Sequence, residues 1–203
     1  MIRIENLQVY GFESAMRGLR NPMNSWSLND TIGNKIGDND LTLLKRLCKV
    51  GSDHRKALRQ MFISCDITAP LYWWKEFDTY KVGVTSNSQS TMHKLCSRAL
   101  GVHDFSFDDM HDNECIVNEV IDNLNARIAD YQITKNKNLW RTIIQLLPCA
   151  YNQTRTITMN YENVLNMYSQ RKYHKLSEWR EFCYWMYYHL PYFKVLVDEL
   201  ENK

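Results

Sequence analysis

The stretch LPCAYNQTRTITMNYENVLNMYSQRK, residues 147–172, decides the fold. It opens on Leu147-Pro148, and proline ends the helix predicted over about 138–147 because it lacks an N–H and blocks the turn. From Tyr151 to Met159 polar and apolar residues alternate and threonine is frequent. A period of two with β-branched side chains specifies a strand, read here as exposed or at an interface. Asn160 then offers a side-chain oxygen to the unpaired N–H groups of a helix start, and Tyr161–Lys172 carries that helix.

Working outward, Asn113–Tyr131 is the clearest helix, with Ile116, Val117, Val120, Ile121, Leu124 and Ile128 on one face and Asn113 at its cap. Gln60–Thr68 reads as a strand, followed by Ala69-Pro70 and a short aromatic helix to Phe77. Residues 2–9 form a looser strand, and Phe12, Ala15, Met16 and Leu19 recur at helical spacing. Residues 21–39 are rich in Asn, Gly, Asp and Ser and predict a mobile loop. Asp40–Val50 resumes a helix that Gly51 stops, and Ser177 caps a last helix to His189. Strands interspersed with more helix predict an α+β class.

The bulk numbers favour one domain over residues 1–203 with a sizeable core. Hydrophobic content is 44%, there are 25 aromatic residues, and the net charge is +2, which excludes a disordered chain. That balance also argues against direct DNA binding, which needs clustered Lys and Arg. No apolar run approaches the roughly 18 residues of a membrane span, and Arg3 and Glu5 interrupt any leader-like stretch. The six cysteines form no CxxC pair, so reduced structural thiols in a cytoplasmic protein are expected. The six histidines lack HExxH or HxH spacing, so no metal is expected, and His103 to Asp112 reads as a solvated acidic loop.

Two segments carry a resemblance. Phe62-Ile63-Ser64, Ala69-Pro70, the aromatic helix, and then Thr85-Ser86-Asn87-Ser88-Gln89-Ser90-Thr91-Met92-His93 resemble the flavin-dependent thymidylate synthases, whose motif there is RHRxxSxNExSxRY. Asn87 and Ser90 match and Thr85 is conservative. Ser88 replaces the Glu, Met92 the Arg and His93 the Tyr, and Thr79-Tyr80-Lys81 stands where the family has Arg-His-Arg. The second segment is similar to the family helix NxRxLxNxxxxR. Asn160, Asn166 and Arg171 fall in register, Val164 stands at the Leu, Glu162 replaces the Arg, and Trp179 follows close to the family spacing. Gln60 stands where the family carries a flavin-contacting His, and Ile144 where it has an Arg, with Arg141 one turn earlier. The likeness covers about residues 55–190.

The resemblance implies a thymidylate synthase-like fold, with a mixed sheet flanked by helices, in a homotetramer. It implies dUMP or a related pyrimidine nucleotide as substrate, FAD and methylenetetrahydrofolate as cofactors, and NADPH as reductant. Arg171 is the expected catalytic residue, gripping the pyrimidine edge with its guanidinium fork. Glu76, Ser88, Gln89, Ser90 and Arg141 are further expected substrate contacts. Asn87, Lys81, Asn160 and Asn166 are expected at the flavin, the two asparagines on related faces of one helix. With Arg lost at Met92, Lys81, Arg141 or Arg155 is left to hold the phosphate.

Each site reading has a plainer rival. Arg171 also reads as a solvated helix-end cation, Asn160 as a helix cap only, and the Thr85–Ser90 hydroxyls as an ordinary loop. Trp73-Trp74 and the Tyr184–Tyr188 run read better as core or interface than as stacking platforms. Three functions remain open: a working flavin enzyme, a nucleotide binder that has lost the reaction, and a protein-interaction module.

Overall fold

A computed structural model describes residues 2–108, 110 and 113–201. Asp109, His111 and Asp112 of the expected acidic loop lie outside the described residues. The architecture is α+β. Strands β1 (Arg3–Tyr10), β2 (Phe62–Pro70), β3 (Thr85–Ser88) and β4 (Asn152–Asn160) form one sheet in the order β1-β2-β4-β3. Its strands run antiparallel where a mixed sheet was expected. The threonine hydroxyls of 68 and 154 meet at 2.7 Å and those of Thr158 and Ser64 at 3.2 Å, a register in which one number falls as the other rises. The Thr-rich strand β4 is therefore an inner strand, and Ile157 and Met159 are fully buried.

The chain divides into two compact units, one of residues 1–3, 67–79 and 87–156, the other of residues 4–66, 80–86 and 157–203. In the first, α3 (Leu71–Phe77) follows Pro70 and α4 (Thr91–Lys94) is a single turn. There α5 (Glu114–Thr134) packs on α6 (Lys137–Leu146). Val117, Ile121, Leu124 and Ile128 of α5 join Leu95, Leu100, Phe105, Ile143 and Tyr151 in one apolar cluster. Those four recur every three or four residues, so they share a helix face. Ile116, placed on that face from the sequence, is 49% exposed because it sits one residue off the stripe.

The second unit holds α1 (Phe12–Arg20), α2 (Asp38–Val50), α7 (Tyr161–Arg171), α8 (Ser177–His189) and α9 (Phe193–Glu201). Phe12, Met16, Leu44, Tyr161, Met167, Trp179, Phe182 and Phe193 are all 1% exposed or less. The segment expected as a mobile loop is instead tied down. Buried Asp40 accepts from the Asp30 and Thr31 N–H groups at 3.1 Å and from the Thr31 hydroxyl at 2.7 Å, and takes Arg20 Nε at 2.8 Å. A buried carboxylate needs such partners, and composition alone does not reveal that Asp40 supplies them. All six cysteines are free, and burial pushes the thiols of Cys48, Cys65 and Cys183 up to about 12. No helix among the described residues is long and apolar enough to cross a membrane, and those residues hold no group of three potential metal ligands.

Candidate functional site

Helix α7 begins with a reciprocal cap. Asn160 Oδ1 accepts the Asn163 N–H at 2.9 Å, and Asn163 Oδ1 accepts the Asn160 N–H at 3.2 Å. This satisfies two of the N–H groups a helix start leaves unpaired. The side-chain amide of Asn163 donates to the Val82 carbonyl at 2.7 Å. Gly83 lies against the same cap with φ +74°, where a Cβ would come within 3.0 Å of Asn160 Nδ2. Both the backbone angle and the close approach demand glycine there.

At the far end of α7, the Tyr80 hydroxyl donates to Gln170 Oε1 at 3.1 Å and accepts from Arg171 Nε at 2.9 Å. Residues 80–83 thus form a strap laid along α7, pinned at both ends. Arg171 is half-buried, its guanidinium carbon 4.9 Å from the Trp179 ring centroid and 5.6 Å from that of Tyr80. Trp179 is fully buried, so the cation rests on a fixed aromatic shelf. Burial dominates the raised pKa of Cys183, and the charges of Arg171 and Lys172 oppose it.

The other expected residues of this unit fall differently. Asn160 is 9% exposed, whereas Asn166 is exposed, so the two do not share a face. Six residues at 3.6 per turn carry the chain about 240° around the axis, which separates them. Lys81 is exposed on the strap. Glu162 is buried, and its Oε1 accepts from Arg55 Nε and Nη2, both at 3.1 Å. Its Oε2 is buried without a hydrogen-bond partner.

A cavity of about 890 Å³ opens in the same unit, lined in part by Gln60, Leu43, Leu47, Arg46, His54 and Lys56. That volume lies within the usual size of small-molecule sites.

In the other unit, Asn87, Ser88 and Gln89 are exposed. The Gln89 N–H donates to the Thr154 carbonyl at 2.8 Å and its carbonyl accepts from the Gln153 side-chain amide at 2.8 Å, so one backbone bond and one side-chain bond fix this turn. Ser90 caps α4, its hydroxyl 3.2 Å from the His93 N–H and 2.7 Å from His93 Nδ1. Glu76 is half-buried on α3 and Arg141 exposed on α6. Arg155 is engaged already: Nη1 meets Asp78 at 2.7 Å, Nε donates to Gln153 at 2.9 Å, and the guanidinium lies 4.2 Å from the Trp74 ring.

No family description matches the sequence, and no curated protein does. Solved structures do match. Thymidylate synthase X from Helicobacter pylori, crystallised with FAD and dUMP, superposes with a TM-score of 0.74 at 15% identity over 99% of both chains. A UMP/dUMP methylase from Streptomyces cacaoi, bound with 5-Br dUMP, gives 0.58 at 13% identity over 84% of this chain and 77% of its own. The fold is that of the flavin-dependent thymidylate synthases. At such identities the likeness establishes the thymidylate synthase fold and leaves the chemistry to the site.

Within that fold, sequence reasoning missed several residues. In the sequence Tyr80 shows only as a mismatch to Arg-His-Arg, and Trp179 only as a spacing mark. Asn163, which ties the strap, matches no family position. The cavity wall is assembled from three segments between residues 18 and 60, and no local pattern announces that.

Proposed function

We propose that this chain binds a uracil nucleotide, dUMP or a close relative, and modifies the base at C5 with the help of a flavin and methylenetetrahydrofolate. The observation that carries the reading is the half-buried Arg171 guanidinium, oriented by the Tyr80 hydroxyl and shelved on Trp179. A guanidinium offers donors only, matching the carbonyl oxygens of uracil. It also stabilises the negative charge those oxygens gain as C5 becomes nucleophilic, and a preorganised donor costs no reorganisation at that moment.

The cavity suits a flavin dinucleotide in chemistry as well as size. Gln60, at the position the family gives to a flavin-contacting His, lies in its wall, and Arg46 and Lys56 supply cations for a pyrophosphate, with the His54 ring beside them. Leu43 and Leu47 supply apolar surface for the ring. When bound, the flavin would carry the hydride; the chain would bind, orient and polarise. NADPH as reductant and assembly as a homotetramer belong to the same proposal through the resemblance.

A second reading, nucleotide binding without flavin chemistry, is favoured by the cap of α7. The Asn160 and Asn163 side chains, on the helix edge where the resemblance puts cofactor contacts, each accept the other residue's backbone N–H, and the Asn163 amide also donates to the strap. Two measurements separate the readings. The flavin enzyme gives a yellow protein whose absorption bands survive gel filtration; a colourless protein that takes up no FAD refutes it. In either reading, saturating dUMP raises the melting temperature, since a ligand at a hundred times its Kd stabilises by about 2.7 kcal/mol. Arg171→Ala weakens that binding roughly tenfold to a hundredfold, the range for hydrogen bonds to a charged group. Absence of any shift with dUMP or UMP removes both.

A further inference from the structure

Residues 20–31 form a loop clasped on one buried carboxylate. At one end Asp40 Oδ1 takes Arg20 Nε at 2.8 Å, and at the other Asp40 Oδ2 accepts the Asp30 and Thr31 N–H groups at 3.1 Å. Inside the clasp the N–H groups of Asn24, Ser25, Leu28 and Asn29 donate to carbonyls of the same loop at 3.0 to 3.2 Å. The loop is ordered before any ligand arrives, so the side chains it displays keep their directions.

With α1 it lines a cleft of about 460 Å³ formed by Arg17, Asn21, Trp26 and Asn29. The Trp26 ring is 51% exposed, and its Nε1 donates to Asn21 Oδ1 at 2.8 Å, which fixes the indole plane. Asn29 Nδ2 is buried with no hydrogen-bond partner, and a buried donor left unpaired is costly. Arg17 is exposed and makes no ion pair or hydrogen bond among the described residues. Its natural partner one turn earlier, Glu13, is engaged elsewhere: Glu13 Oε2 accepts the Gly33 N–H at 2.8 Å. We infer that this cleft binds an aromatic carboxylate, a flat ring with a carboxylate on or close to it. The Arg17 guanidinium fork matches a carboxylate in geometry and charge. Asn29 offers a further donor, and the exposed indole offers a face on which the ring stacks. No lining residue is acidic, so the cleft itself does not repel an anion.

Two sources share this chemistry: a free aromatic acid, and the benzoyl-glutamate tail of a folate. Asn21 also lines the larger cavity, so the two openings adjoin. The folate source alone rests on the reaction proposed above; the cleft and its donors do not. The full-length protein is titrated calorimetrically with 4-aminobenzoate, with 4-aminobenzamide, which keeps the ring and loses the charge, with acetate, which keeps the charge and loses the ring, and with folate. 4-Aminobenzoate is expected to bind roughly tenfold or more tightly than the amide or acetate. Arg17→Gln weakens it roughly tenfold, the range for hydrogen bonds to a charged group, and Trp26→Ala roughly threefold, the range for a lost stacking contact. The melting temperature of Arg17→Gln stays at the wild-type value, since the side chain bonds to nothing in the fold.

Folate binding more tightly than 4-aminobenzoate, with the same loss in Arg17→Gln, assigns the cleft to the folate tail; the reverse order assigns it to a free aromatic acid. If the benzoate and the amide bind equally well, or if neither benzoate nor folate binding depends on Arg17, the inference is overturned. A dUMP-induced rise in melting temperature is read on Arg17→Gln in parallel and is expected to persist, so failure here leaves nucleotide binding standing.

Discussion

Helix α7 and the segment Thr85–Ser90 both carry the likeness to the thymidylate synthases, yet they meet the rest of the chain in opposite ways. Five residues of α7 are buried, its first turn is capped, and its last residue is clamped between Tyr80 and Trp179. Thr85 to Gln89 are all exposed, and the helix that follows is a single turn. Preorganised polar groups act strongly because their orientation is settled before the ligand arrives. Exposed hydroxyls must be ordered by the ligand, which lowers what each contributes. The part proposed for the base is built; the segment the resemblance gives to the phosphate has its hydroxyls open to solvent, and Gln89 is held through its backbone.

The sharpest way to break the contrast is Trp179→Ala. This side chain is fully buried, with Phe182 6.1 Å and Tyr80 6.0 Å away by ring centroid. Removing it leaves a large cavity and costs about 3–5 kcal/mol of stability by urea denaturation. A loss of under about 1 kcal/mol would show that the shelf beneath Arg171 is not core. The cap of α7 gives a smaller effect: Asn160→Ala costs about 1 kcal/mol, the usual value for a lost N-cap. Asn166→Ala, at an exposed position of the same helix, should stay within about 0.5 kcal/mol. Equal losses in the two would contradict the capping geometry.

Much of the fold was legible in the sequence, and the reason is local. The α5 stripe, the Asn160 cap and the breaks at Pro70 and Pro148 arise from neighbours within a turn or two. The structure adds α9, Phe193–Glu201, beyond the break at Pro191. Its buried Phe193, Leu196 and Val197 follow the proline closely, and that break masked the restart. The site was legible in part. Arg171 stood out by register with the family helix, but its partner Tyr80 is 91 residues away in sequence and Arg55 is 107 residues from Glu162. Such pairings come from tertiary packing, which periodicity does not encode. The Ser/Asn segment misled in the other direction, since a matching set of hydroxyls does not report whether anything holds them.

The gentlest test adds a group at the weak end. Met92 is 52% exposed in α4, where its carbonyl accepts from Trp140 Nε1 at 3.2 Å, a bond that any side chain preserves. Met92→Arg places a guanidinium where the family has one, without displacing core. Stability should be unchanged within about 0.5 kcal/mol. If the phosphate lies near this turn, affinity for dUMP rises roughly two- to fivefold while affinity for deoxyuridine, which lacks the phosphate, stays the same. A modest gain is expected, because an exposed arginine is screened by solvent and must be ordered by the anion it meets. The informative quantity is the ratio of the two affinities: a rise assigns the phosphate to the Thr85–Ser90 turn, and equal changes for both ligands assign it elsewhere.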